Sequence, residues 1–150
     1  LEVEEDVAGV DTIVVPVGGG GLVAGIAAAA RCRVVAVEPE LSPALHEALK
    51  AGESVPVHPR SIADGLGAPF AGPTALAVCV ARGVESVLVS EDEIADAMRF
   101  VYARAKLACE PAGAAGIAAV RAGKIAGERV CCVVSGGNVG AQTAAAILGA

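Results

Sequence analysis

Residues 11–31 constrain this chain more than any other stretch. Asp11-Thr-Ile-Val-Val-Pro-Val17 is a short apolar run rich in β-branched residues, and Gly18-Gly-Gly-Gly21 follows it at once. Leu22-Val-Ala-Gly-Ile-Ala-Ala-Ala-Ala-Arg31 comes next. That order predicts a buried strand, a glycine loop and a helix. The alternation continues downstream. Arg33–Val37 reads as a second strand closed by Glu38-Pro39, and Ser42-Pro43 as the cap and first-turn proline of a helix reaching Ala51. Residues 52–72 are rich in Gly, Pro and polar residues. A loop of roughly 20 residues exceeds an ordinary connection and points to a binding role. Pro73–Arg82 fits a helix and Ser86–Val89 a strand. Ser90 and Glu93 have capping-box spacing, and the helix they open would carry Ile94, Met98, Val101 and Ala105 on one face. Glu110-Pro111-Ala-Gly113 reads as a break before a small-residue helix, Ala114–Ala122. Arg129–Val134 is the last strand, Ser135-Gly-Gly-Asn138 a second glycine turn, and Val139–Leu148 a closing helix. Together these elements predict an α/β fold of three layers around a mostly parallel sheet.

Composition excludes several classes. With 150 residues, 55% of them hydrophobic, the chain is large and apolar enough for one packed domain rather than disorder. Its apolar runs all fall short of the ~18 residues that a membrane helix needs. A net charge of −6, 2% aromatics and no basic block argue against a nucleic-acid partner. The five cysteines (32, 79, 109, 131 and 132) lie in apolar stretches without C-x-x-C spacing, and read as reduced packing residues of a cytoplasmic protein. Cys131 and Cys132 would point to opposite faces of one strand and cannot pair on a metal. His46 and His58 stand alone and read as surface or loop residues, and the Glu91-Asp92-Glu93 cluster as a complement to a helix N-terminus.

Ligands of open parallel sheets bind outside the carboxyl ends of the strands, where both glycine turns would lie. In Gly18, Gly19, Gly20 and Gly21, converging backbone N–H groups and the positive end of the next helix would form an anion cradle without Lys or Arg. The loop matches neither G-x-G-x-x-G nor a Walker A sequence, which disfavours nucleoside triphosphates. Ser135 would stand at the same edge. No candidate base neighbours it in sequence, so a neutral hydrogen bond to a ring nitrogen suits it better than nucleophilic attack.

Five ordered strings now carry a family resemblance: Val15-Pro-Val-Gly-Gly-Gly-Gly-Leu22, Ala36-Val-Glu-Pro39, Ser61-Ile-Ala-Asp-Gly65, Glu110-Pro-Ala-Gly-Ala114 and Ser135-Gly-Gly-Asn138. The series resembles the C-terminal half of the catalytic domain of threonine/serine dehydratases. These are fold-type II pyridoxal 5'-phosphate (PLP) enzymes, a group that includes serine racemase. The resemblance implies that Gly18, Gly19, Gly20, Gly21 and Leu22 hold the cofactor phosphate through main-chain N–H groups. It implies that Ser135 bonds the pyridine nitrogen, that Gly136, Gly137 and Asn138 shape its turn, and that Glu110 lies by the ring. Asp64 and Gly65 would border the active-site mouth. The implied reaction is loss of water and ammonia from L-threonine or L-serine, giving 2-oxobutanoate or pyruvate. A neutral serine partner suits it, because the departing hydroxyl drains the electrons and a strong electron sink is not needed.

The chain departs from the family pattern in two places. The Schiff-base lysine of the family lies in the N-terminal half, and Lys50, Lys106 and Lys124 stand in contexts expected of surface charges. The expectation is therefore that residues 1–150 form a single partial domain, the C-terminal portion of the cofactor domain, without the upstream half. By itself it would have no catalytic residue and no activity. The longer protein would be a homo-oligomer acting on a small amino acid. Family members with a divalent cation ligate it through the glutamate of the Glu-Pro turn and an aspartate six residues on. Here Glu38 is followed at that distance by Ala44, so Glu38 is a weak ligand candidate and no metal is expected. The alternatives are an amino-acid racemase on the same scaffold and a non-catalytic module that binds a phosphorylated small molecule. A thiol-transferring synthase is disfavoured, because such relatives tend to carry Thr inside the phosphate loop.

Overall fold

The computed structural model describes residues 1–149. After a short helix α1 (Glu2–Asp6), the strands are β1 (Thr12–Pro16), β2 (Arg33–Pro39), β3 (Glu85–Val89) and β4 (Val130–Cys132). The helices are α2 (Gly21–Ala29), α3 (Ala44–Ala51), α4 (Pro73–Ala81), α5 (Glu91–Phe100), α6 (Pro111–Arg121) and α7 (Ala141–Leu148). All strand pairings among the described residues are parallel, in the order β3-β2-β1-β4. The expected α/β class, with a mostly parallel sheet between helices, is the observed one.

Alternation along β1 explains the layers. Ile13, Val15 and Val17 pack with Val23 and Ala27 of α2, Leu45 and Ala48 of α3, and Leu76 and Cys79 of α4. Val14 faces the other way, with Val37 and Val89, onto Ile94, Ala97 and Met98 of α5 and the alanines of α6. A strand covered on both faces must be apolar throughout, and all five residues of β1 are buried. Cys131 joins the first layer and Cys132 the second, as their adjacency in a strand requires. All five cysteines are free thiols. Cys79 and Cys109 are buried and the other three are half-buried, so the expected burial holds fully for two. No helix among the described residues is long and apolar enough to cross a membrane.

Several local expectations need correction. α6 begins at Pro111 rather than Ala114, because proline suits the first helical position, where its missing N–H would find no partner anyway. The Glu110-Pro111 pair therefore opens the helix and does not break the chain. α5 gives way to a π-helical turn over Val101–Ala105, closed by Lys106 in the left-handed region at φ 57°. Ile94, Met98 and Val101 are buried as expected, but the wider turn rotates Ala105 out to solvent and leaves Lys106 ending the segment. α3 begins at Ala44, with Pro43 rather than Ser42 in the N-cap position. His46 is half-buried, with Nδ1 3.0 Å from Ser86 Oγ, and is no isolated surface residue; His58 is exposed as expected. β4 is shorter than Arg129–Val134, α7 starts at Ala141 rather than Val139, and β2 runs through Pro39.

Candidate functional site

The sheet order creates the site. From β1 the chain steps outward through β2 to β3, then returns across the sheet to place β4 on the other side of β1. Such a reversal leaves a crevice at the carboxyl ends of the two strands that flank it. The glycine run leaves β1 there, and Ser135 leaves β4 beside it. The ladder between them extends past the assigned strand, because the N–H of Val133 donates to the Val14 carbonyl at 2.9 Å. Gly18–Gly21, Leu22 and Ser135 line one cleft of about 200 Å³, together with Pro16, Val17, Val23, Gly65 and Leu66.

Local geometry shows why glycine fills the cradle. Gly20 has φ +92°, and a Cβ there would meet the Ala75 Cβ at 2.8 Å. At Gly18 a Cβ would press on the Leu66 backbone at 3.3 Å. Among the described residues the N–H groups of Gly18, Gly19 and Gly20 find no acceptor. The first-turn N–H groups of α2 lack intrahelical partners by the geometry of any helix, and no side chain caps them. These free donors converge on a helix N-terminus, an arrangement that receives a phosphate group. Ser135, which is exposed, lines the same cleft and carries a neutral hydroxyl. The residues present therefore fit the phosphate and the ring nitrogen of PLP.

Glu110 ties the walls together from behind. Its N–H donates to the Gly136 carbonyl at 3.0 Å, and its Oε1 lies 3.1 Å from the place a Cβ on Gly65 would take. Gly137 fits closely too, since a Cβ there would stand 2.8 Å from the Ala108 carbonyl oxygen. Asn138 is exposed and, with Gly136, Gly137 and Glu110, is absent from the cleft lining. Asp64 is also exposed and accepts the N–H of Gly65 through Oδ1 at 2.8 Å.

Leu66 is a lining residue that the sequence reading missed. The long loop contributes it through a 3-10 turn, Asp64–Leu66. The loop is fastened at several points, including Val57 N–H to Pro69 O at 2.8 Å and Gly72 N–H to Gly19 O at 3.0 Å. The Ile62-Ala-Asp-Gly65 string was the available signal, but nothing local says that its far end turns back onto the glycine run.

Glu38 lies outside this cleft. Its carboxylate is fully buried and accepts the N–H groups of Leu45 and His46, each at 2.7 Å, with Ser86 Oγ at 3.4 Å. Burial pushes it up to about 7, against the pull of those hydrogen bonds. Among the described residues no three His, Cys, Asp or Glu side chains gather as metal ligands would. Lys50 pairs with Glu47 at 3.2 Å and Lys124 with Glu93 at 2.7 Å, while Lys106 is exposed; none of the three lines the cleft.

Comparison with known proteins agrees with this geometry. The family described as "Pyridoxal-phosphate dependent enzyme" matches residues 1–136. Phenylserine dehydratase of Ralstonia pickettii is 38% identical, over 97% of this chain and 47% of that protein. L-threonine ammonia-lyase of Thermotoga maritima is 37% identical, over 93% of this chain and 36% of that protein. The structure of maize serine racemase superposes with a TM-score of 0.88 at 35% identity, covering 95% of this chain and 47% of that one. The chain thus spans less than half the length of each of these relatives. The family match spans nearly the whole chain, including both strands whose glycine turns border the cleft, and the chain belongs to the pyridoxal-phosphate-dependent enzyme family.

Proposed function

We propose that this chain is the cofactor-holding portion of a longer cytoplasmic PLP-dependent ammonia-lyase that acts on L-threonine or L-serine. The observation that carries this reading is the shared cleft, whose lining contains both the glycine run, with its free N–H groups, and Ser135. In it the N–H groups of Gly18–Leu22 hold the phosphate, and Ser135 donates its hydroxyl proton toward the pyridine nitrogen. Gly136, Gly137 and Asn138 shape that turn, and Glu110 keeps it in register with the Gly65 wall. When bound, PLP supplies a sink for electrons released at the substrate α-carbon. Because Ser135 is neutral it leaves the ring nitrogen without a full charge. That favours expulsion of a β-hydroxyl over prolonged storage of charge at the α-carbon. The lysine that bonds the cofactor and the loop that holds the substrate carboxylate belong to the remainder of the protein, so residues 1–150 alone are inactive. The similarity to serine racemases favours amino-acid racemization as the second reading.

Two measurements test this. On the chain itself, PLP is expected to bind more tightly than pyridoxal, which lacks the phosphate; equal affinity would remove the cradle. On the whole protein, L-threonine and L-serine are expected to yield 2-oxobutanoate or pyruvate with ammonia. D-serine as the sole product would establish the racemase instead.

A further inference from the structure

The buried Glu38 points to a device whose argument does not rest on the function proposed above. Glu38 is the penultimate residue of β2, and its two oxygens receive the N–H groups of Leu45 and His46 from the first turn of α3. Ser86 of β3 approaches one of those oxygens at 3.4 Å and also bridges to His46 at 3.0 Å. Both carboxylate oxygens are thus engaged by protein donors inside a fully buried space. Ala44, six residues on from Glu38 and fully buried, carries no side-chain oxygen that could share a cation with it. The partial positive charge of a helix N-terminus already faces Glu38, so a divalent cation there would meet repulsion and too few oxygens.

We propose that Glu38 fastens the β2–α3 junction through its two carboxyl oxygens, as acceptors for first-turn N–H groups of α3, and that it does so without a divalent cation. It acts as a positioning residue for the loop beyond. The turn it anchors carries a Ser42 N–H to Pro39 O bond of 2.9 Å, and Leu41 O accepts the N–H of Arg60 at 3.1 Å. From there the loop runs to Gly65 and Leu66 against Gly18, and to the Gly72–Gly19 hydrogen bond.

Amide hydrogen exchange at pH 8 and thermal unfolding of the protein, purified without added metal, test this. The amides of Leu45 and His46 are expected to be protected, and MgCl2, CaCl2 or EDTA to move Tm by less than about 1 °C. In Glu38→Gln the amide group offers one acceptor in place of two. At least one of those two amides should then exchange about tenfold faster or more, and Arg60 and Gly72 should follow, with the Val133 amide of the sheet unchanged. A rise of several degrees in Tm on adding either cation would overturn the proposal. So would unprotected Leu45 and His46 amides in the unmodified protein, or a uniform change across Arg60, Gly72 and Val133 in the variant. If Glu38→Gln does not fold, the cation and exchange measurements on the unmodified protein still decide.

Discussion

Gly136 and Glu110 share one space: a Cβ on Gly136 would stand 2.7 Å from Cδ of Glu110, whose own N–H donates to the Gly136 carbonyl at 3.0 Å. The second glycine turn is therefore glycine because a carboxylate from another element fills the side-chain position. Gly136→Ala is expected to destabilise the protein by about 1–3 kcal/mol, as overpacking does. Glu110→Ala in the same chain should restore much of that loss. Urea unfolding of the two single variants and the double variant measures the coupling, and simple additivity would separate the two residues.

Gly20 and Gly21 are adjacent but answer to different constraints. Gly20→Ala forces a left-handed conformation and a 2.8 Å approach to Ala75, so a loss of at least about 1–2 kcal/mol is expected. Nothing lies within 4 Å of a Cβ at Gly21, and Gly21→Ala should leave stability within about 0.5 kcal/mol. Gly21 nevertheless lines the cleft. PLP affinity should therefore fall in Gly21→Ala while thermal unfolding stays put, a split that ties the residue to binding rather than to folding.

Burial raises Glu38 to about 7 from an ordinary 4.5, because loss of water costs the charge more than its hydrogen bonds return. The folded state thus holds this proton more tightly than the unfolded chain does. The contribution is fully present below pH 4.5 and is lost as pH rises toward and through 7. The total is on the order of 3 kcal/mol. Unfolding free energy from urea titrations should fall across that window, and Glu38→Gln should flatten the fall. A slope that survives the substitution would assign the proton elsewhere.

Ser90 and Glu93 form a reciprocal cap at the start of α5: Ser90 Oγ accepts the Glu93 N–H at 3.2 Å, and Glu93 Oε2 accepts the Ser90 N–H at 2.7 Å. Ser90→Ala should cost about 1 kcal/mol, read as a lower Tm. Ser90→Asp, which keeps an acceptor, should recover most of it.

Periodicity and punctuation were sufficient to read the order and type of the main strands and helices, though not all of their ends. The β-branched run before Gly18, the capping pair Ser90/Glu93 and the alternation of strands with helices all follow from local rules, because each depends on residues within a turn or two of one another. The two glycine turns were legible as parts of a site for the same reason. Their meeting at one edge of the sheet was legible too; the shape of the cleft was not, since it depends on β4 pairing beside β1, with Val130 opposite Thr12.

Long-range packing also decided the roles of Glu38, Glu110 and Leu66. Glu38 looked like a weak ligand candidate, and became the partner of a helix end that only sheet and helix packing bring to it. Glu110 looked like part of a chain break, and proved to be the residue that fills the space beside Gly136. Leu66 entered the cleft because an irregular loop folds back onto Gly18. Local sequence set which segments could be strands, helices and glycine turns, through propensities and backbone sterics that act over a few residues. Which side chains face one another was decided by the buried contacts and hydrogen bonds of the folded chain, whose energies exist only once distant segments are packed.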